Sequence, residues 1–474
     1  MLVRLCYLGL APFAGDQPRL LRAAWEQIET GRFADHSPVS YGPAPLWFFA
    51  VIQGLIGRHA STVIAAVVVL ACACQLALIL ALHVRGRHPL QHSYWALAGV
   101  LIVAASSPYQ FFWSRLAADL AANLGPFVAL AILAQGSFGP LSGALLGLVL
   151  GLCISAHPLA APFALACLVV VALSSIGPFV HRALSLSAAG TMLLLVNLPW
   201  LRYLRQAGPF AIPGRLDVFA PLTPEPFLQT YRPHSIWGLS FFFDADWESF
   251  SAAHPWLARP DVQQASLLSA ACVTIIGLLA LALQRREAGL RRVATVGVLC
   301  ALGYPFLLSY WQLDDRPHHQ FPVAWLTVAG AAGLFYARTR WLLPVRALAL
   351  ALAALNIGFI GAWGEFIWQR AGTRGDHYGT PVAEQERFMR EACQTPGKLL
   401  HIDNETAMLS PAFEQIFESE AKCRAKKLDL CGENGCSDVP PADWIVRLHY
   451  RDPEGGALSW VVESARNRAA LSAQ

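Results

Sequence analysis

The sequence predicts an α-helical polytopic membrane protein of about ten or eleven spans with a small α/β module at its C-terminal end. Three observations carry that expectation. Of 474 residues, 55% are hydrophobic and only 14% are charged, where a soluble globular protein carries about 25% charge. Apolar stretches of span length follow one another between residues 61 and 362, and Gly and Pro recur inside them, a habit of membrane helices. Beyond residue 362 the chain becomes richer in charge and holds short strand-like runs. Such a balance excludes an ordinary cytosolic enzyme, a disordered chain and a secreted disulfide scaffold. The 35 Lys+Arg against 31 Asp+Glu leave a net charge of +4, which argues against a nucleic-acid partner.

Taken in order, the first 14 residues, MLVRLCYLGLAPFA, read as the tail of another span and are too short to cross alone. The reading expects either a truncated helix or a true start further upstream, and finds no secretory signal with a cleavage site. In the following loop (15–57), Leu20, Leu21, Ala24, Trp25 and Ile28 repeat at helical spacing, with Arg22, Gln27 and Glu29 opposite. That pattern predicts a helix lying in the membrane surface, closed by Gly31. Spans are expected over roughly 61–84, 93–108, 111–134, 141–156, 158–176, 183–201, 266–283, 293–311, 320–337 and 342–362.

Alternate loops carry Arg85 and Arg87, then Arg182, then Arg285, Arg286, Arg291 and Arg292, then Arg338, Arg340 and Arg346, with Glu287 the only acid among them. Positive loops stay cytoplasmic. The other set then faces outward: 15–44, the turns near 106–112 and 155–158, the long loop 203–265, the turn 312–319, and everything after about 363.

The tail reads as an α/β module outside the membrane, residues 363–474, against a transmembrane domain of residues 1–362. Residues 381–394 and 411–421 are expected as helices, and 398–402, 443–450 and 458–463 as strands. Seven of the 11 Cys lie in apolar spans and behave as small hydrophobes. The other four, Cys393, Cys423, Cys431 and Cys436, fall in the tail. An even number in an oxidising compartment implies two disulfides with three possible connectivities, and Cys393–Cys423 with Cys431–Cys436 is the favoured one. Zinc is the alternative, but no C-x-x-C spacing supports it.

Several polar residues sit where a bilayer disfavours them. Asp16 stands where the first apolar stretch ends and the surface helix begins. It is either a helix cap ahead of Pro18 or a carboxylate at the membrane–water boundary able to act as general base; the two roles are compatible. Arg115 and Asp119 lie one helical turn apart inside an apolar span, as an ion pair or as the lining of a polar site. The outer turn YWQLDDRPHHQFP (310–322) carries Asp314, Asp315, Arg316, His318 and His319, basic groups able to hold a phosphate or simply a solvated turn. His157 in the SAHP turn is the weaker candidate. In the long loop, Arg232, His234, Asp244, Asp246 and Glu248 stand among aromatics, a pattern of interface anchors or a sugar platform. No P-loop, G-x-G-x-x-G, H-E-x-x-H or G-x-S-x-G motif occurs.

An Asp-containing first outer loop followed by a surface helix, a Tyr41-Gly42-Pro43 motif leading into the next span, and an Arg…Asp span resemble the GT-C-fold glycosyltransferases. The likeness is to the bacterial protein mannosyltransferase and aminoarabinose transferase group, glycosyltransferase family 39. GLVLGLCISAHPLAAPFALA (147–166), NLPWLRYL (197–204) and RPHHQFP (316–322) follow in matching order, so the resemblance covers residues 15–340.

It implies an inverting transfer of a sugar from a polyprenyl-phosphate donor to an envelope acceptor (lipopolysaccharide, another glycan or protein) by an enzyme of the bacterial inner membrane with a periplasmic tail. On that resemblance Asp16 and Asp119 are catalytic, Asp16 as the base, and Arg115, Arg316 and His318 contact the donor phosphate. Family members have two acids in the first loop, whereas here Asp16 is followed by Gln17, which weakens a metal role; no cofactor is implied, and a divalent ion has no support in the spacing. The lysine of the aminoarabinose subgroup's Glu-Lys-Pro motif is replaced by Gly42-Pro43-Ala44, which speaks against aminoarabinose transfer to lipid A. A transporter or flippase, or an O-antigen ligase or polymerase, is the competing reading; no internal repeat of the transporter kind is found.

Overall fold

The computed structural model describes residues 13, 16–38, 41–85, 90–108, 118–135, 138–173, 179–207, 228, 231, 234–236, 244–284, 287–310, 324–337, 339–372, 379–394, 399–404, 410–420, 423, 426–431, 444–451 and 458–464. The helix expected after the first loop begins is α1 (Asp16–Thr30), but its stripe of Leu20, Leu21 and Ala24 is buried against protein rather than turned to lipid, and Gln27, expected on the polar side, is buried with it. A short apolar helix, α2 (Ala44–Ile56), packs on it and stops at Gly57. Gly57 has φ +92°, a left-handed conformation glycine adopts without a Cβ penalty. Helix α2 is absent from the expected spans because it is too short to cross on its own.

The membrane bundle follows: α3 (Ala60–Arg85), α4 (Leu90–Ala105), α5 (Ala118–Leu133), α6 (Pro140–Ala156), α7 (Ala161–Leu173) and α8 (Phe179–Ala207). The long loop contains α9 (Asp244–Ala253) and α10 (Pro255–Ala258), and after it come α11 (Pro260–Ala282), α12 (Ala288–Tyr310), α13 (Leu326–Tyr336) and α14 (Leu343–Arg370). Ten of these helices stand where the apolar stretches place spans. The segments containing α3, α8, α11 and α14 are long and apolar enough to cross a membrane by length and composition, and the chain is a multi-pass membrane protein.

Lipid offers no hydrophobic drive to pair helices, so small residues must let backbones approach. Helix α6 presents Gly143 and Gly147 to Ser185 and Ala189 of α8. A Cβ built on Gly147 would sit 2.0 Å from the Ala189 carbonyl oxygen. Gly277 of α11 meets Gly330 and Gly333 of α13 in the same way. Around these contacts the bundle core gathers Val100, Phe163, Tyr304 and Trp325.

The tail folds as α15 (Val382–Ala392), β1 (Leu399–Asn404), α16 (Ser410–Ser419), β2 (Lys427–Cys431), β3 (Trp444–Tyr450) and β4 (Leu458–Ser464). Its sheet has the order β2-β1-β3-β4, with β1 parallel to both neighbours and β3 antiparallel to β4. Strand β2 is missing from the sequence expectation: its five residues begin on the last lysine of the cationic run RAKK at 424–427 and give too short an alternation to stand out. Cys393 and Cys423 form the expected disulfide. Cys436 lies outside the described residues, as does the Cys431 side chain, and so does that second pairing.

Among the described residues, the tail's apolar side chains join those of the first loop. Phe388, Met389, Phe413, Ile416, Val446 and Leu448 join one apolar cluster with Phe13, Leu20, Leu21, Ala24, Leu46, Phe49 and Val63. Helix α16 lies on α1. The first outer loop and the tail are therefore packed as one body at the end of the bundle.

Candidate active site at one end of the bundle

Asp16 is the first residue of α1, one position inside the helix rather than its cap, and its side chain is exposed. A carboxylate in a first helical turn faces unpaired N–H groups, which favour the charged form. Against that, partial desolvation of this otherwise exposed side chain pushes the Asp16 carboxyl above the usual carboxylate range, and Arg19 opposes the shift in part. A carboxyl held high suits a general base better than one held low. The next residue, Gln17, is turned inward and is 3% exposed, so position 17 adds no group to the surface that Asp16 presents.

The chain after α1 folds back over one end of the bundle helices. His36 stacks on Tyr203 near the end of α8, with ring centroids 3.8 Å apart. The Tyr41 ring lies 4.6 Å from the His157 ring in the turn after α6. Gly42 presses on Ser155 so closely that a Cβ would stand 2.4 Å from its Oγ, and the Ala44 N–H donates to the same Oγ at 3.2 Å. Tyr41-Gly42-Pro43, the SAHP turn and the end of NLPWLRYL, three separate sequence signals, thus meet at one end of the bundle. His157 Nδ1 accepts from the Leu159 N–H at 3.2 Å, fixing the ring at the start of the next helical turn.

Asp119 falls in the first turn of α5, and its side chain lies outside the described residues. Gly125 of α5 abuts Cys153 of α6. Asp119 is six residues, about 9 Å along the axis, from that contact toward the start of α5, at the same end of the bundle as His157. Helix α2, the partner of α1, packs on both α5 and α6. Asp16 and Asp119 therefore sit on two elements that share α2 as a neighbour. Arg115, Arg316 and His318, and with them Asp314, Asp315 and His319, lie outside the described residues.

Other candidates take structural parts. His234 is 1% exposed, contacts the Thr327 hydroxyl, and its carbonyl accepts from Asn356 Nδ2 at 3.2 Å. It plugs the long loop between α13 and α14 and anchors that loop. The aromatics of the long loop behave likewise: Trp247 and Phe250 pack against Phe359 of α14, and Phe250 also against Trp363 and Phe366. Glu248 is exposed. Asp244 and Asp246 are placed only as backbone in α9, and Arg232 lies outside the described residues. Sequence reasoning did not single out Tyr203, Ser155 or Gln385. Each acts through a contact with residues far away in the chain, and no local pattern announces it.

No protein-family model matches the sequence, and no curated protein matches it. Among solved structures the chain is similar to ArnT from Cupriavidus metallidurans in the apo state, with a TM-score of 0.54 at 13% identity, covering 98% of this chain and 96% of that one. The chain has a GT-C fold. The structure of the same ArnT bound to undecaprenyl phosphate gives a TM-score of 0.53, again at 13% identity, over 97% of this chain and 96% of that one. An Archaeoglobus fulgidus oligosaccharyltransferase in the apo form gives 0.39 at 12% identity over 85% and 60%.

Proposed function

We propose that the chain is a glycosyltransferase that moves a sugar from a polyprenyl-phosphate carrier to a hydroxyl of an envelope glycan, lipid or protein, with inversion at the anomeric carbon. The observation that carries this reading is the end-to-end similarity in fold to an ArnT that was also solved with undecaprenyl phosphate bound. An acid at the membrane surface in the first outer loop suits the same chemistry.

In this scheme Asp16 takes the proton of the acceptor hydroxyl. The oxygen attacks the anomeric carbon, the bond from that carbon to the phosphate oxygen breaks, and polyprenyl phosphate leaves with the electron pair. Negative charge grows on the departing phosphate, and fixed cations in a poorly hydrated site stabilise it. Arg115, Arg316 and His318 are assigned that task, and Asp119 is assigned as the second acid of the site. The scheme uses no cofactor. Gly42, Pro43 and Ala44 are all buried and bring no cation to the site, which favours a sugar other than aminoarabinose. The enzyme would work in the bacterial inner membrane with its tail in the periplasm.

Purified enzyme in liposomes, offered a panel of polyprenyl-phosphate sugars with radiolabelled head groups, should label an envelope-extract acceptor from at least one donor. Asp16→Asn should cut that turnover by about 10²–10⁴-fold. Parent-level transfer by the Asn variant would remove Asp16 from the base role, and failure of every donor would remove the reaction class.

A further inference from the structure

Gln385 belongs to α15 in the tail, yet it reaches the entrance of the first outer loop. Its side chain is fully buried, at 0% exposure. Nε2 donates to the Thr380 carbonyl at 2.7 Å and to the Phe13 carbonyl at 2.9 Å, across 372 residues of sequence in the second case. The Phe13 side chain is itself buried in the shared core. Phe13 is thus held by ring and by carbonyl, and only two residues separate it from Asp16. Three chain steps, about 11 Å at full extension, tether Asp16 to that anchor.

Further grips hold the other side of α1. Arg22 pairs with Glu414 and Glu418 of α16. Arg58 pairs with Glu418 at 2.7 Å while covering the Trp25 ring at 5.0 Å. The neighbouring Glu386 accepts from the Ser61 N–H at 3.1 Å, at the start of α3. The tail therefore touches the loop entrance, the face of α1 and the first turn of α3. For folding of the tail alone, the bond from Gln385 to Thr380 would serve. The second donor is spent on the catalytic loop.

We infer that the tail module is a positioning device for Asp16, with Gln385 its positioning residue. The inference rests on the proposed glycosyltransferase reading, and it deepens that reading by giving the tail a part in turnover. Gln385→Met keeps length and removes both donors. In the full-length enzyme it should raise hydrogen–deuterium exchange over residues 16–24 while β1 and β3 keep their protection. It should lower kcat by about tenfold to a hundredfold with KM for the lipid donor held within about threefold. Glu386→Gln, one residue on, keeps an acceptor for Ser61 and should match the parent in both measurements.

If Gln385→Met fails to fold, the double variant Glu414→Gln/Glu418→Gln loosens α1 through surface pairs alone and should move exchange and kcat in the same direction. Unchanged exchange over 16–24 overturns the inference, as does raised exchange with parental kcat. Full activity of Asp16→Asn would instead sink the base assignment, and the exchange measurement would still report on the clamp.

Discussion

At the scale of single residues, Asp16 is defined by two opposed influences, desolvation that raises its pKa and Arg19 that lowers it, with the former larger. A base must be ionised to accept a proton, so turnover is lost as pH falls through this raised value, above the 3.8 of an ordinary aspartate. For folding the sign is opposite to that of a salt-bridged acid. The folded state prefers the protonated form, so above the unfolded pKa the charge opposes stability. Asp16→Asn should therefore abolish the acid limb of the pH–rate profile together with the rate, and leave the melting temperature at pH 7 unchanged or slightly higher. A variant that melts well below the parent would mark Asp16 as a structural residue of the first turn of α1.

At the scale of elements, the bundle depends on places where two backbones touch. The α6–α8 pair is the clearest, because at Gly147 the opposing group is a carbonyl of the partner helix and cannot rotate away. Gly147→Val should force the helices apart and cost about 1–3 kcal/mol, as overpacking does, read as an earlier melt in detergent by fluorescence-detected size exclusion. Gly190, with open space around it, should accept Ala with no such loss. The spans were legible in the sequence because apolarity is a local property, and α1 because its period is. Neither Gly147 against Ala189 nor Gly42 against Ser155 could be read that way, since each joins segments whose local patterns are independent. Motif order along the chain placed Tyr41, His157 and the end of α8 in sequence, but only the fold brings them to one face. Strand β2 escaped because its pairing partner β1, rather than its own composition, makes it a strand.

At the scale of the whole molecule, the tail expected as a separate module shares its core with the first outer loop, and this couples two properties that a detached domain would keep apart. The Cys393–Cys423 disulfide closes a segment with a sequence separation of 30, tying the end of α15 to the segment just beyond α16. In the chain-entropy account such a loop contributes about 3.5 kcal/mol. Both helices it joins carry contacts to α1 or to the entrance of its loop. Cys423→Ser, or reduction of the parent with a membrane-permeant thiol, should therefore lower the temperature at which transfer activity is lost. The bundle, whose described cysteines are all outside this bond, should keep its helical circular dichroism to the parental temperature. Activity and helicity would then melt at different temperatures in the reduced protein and closer together in the oxidised one. If the serine variant lost activity and helicity together at the parental temperature, the staple would have no hold on the loop, and the shared core alone would be sufficient to keep α1 in place.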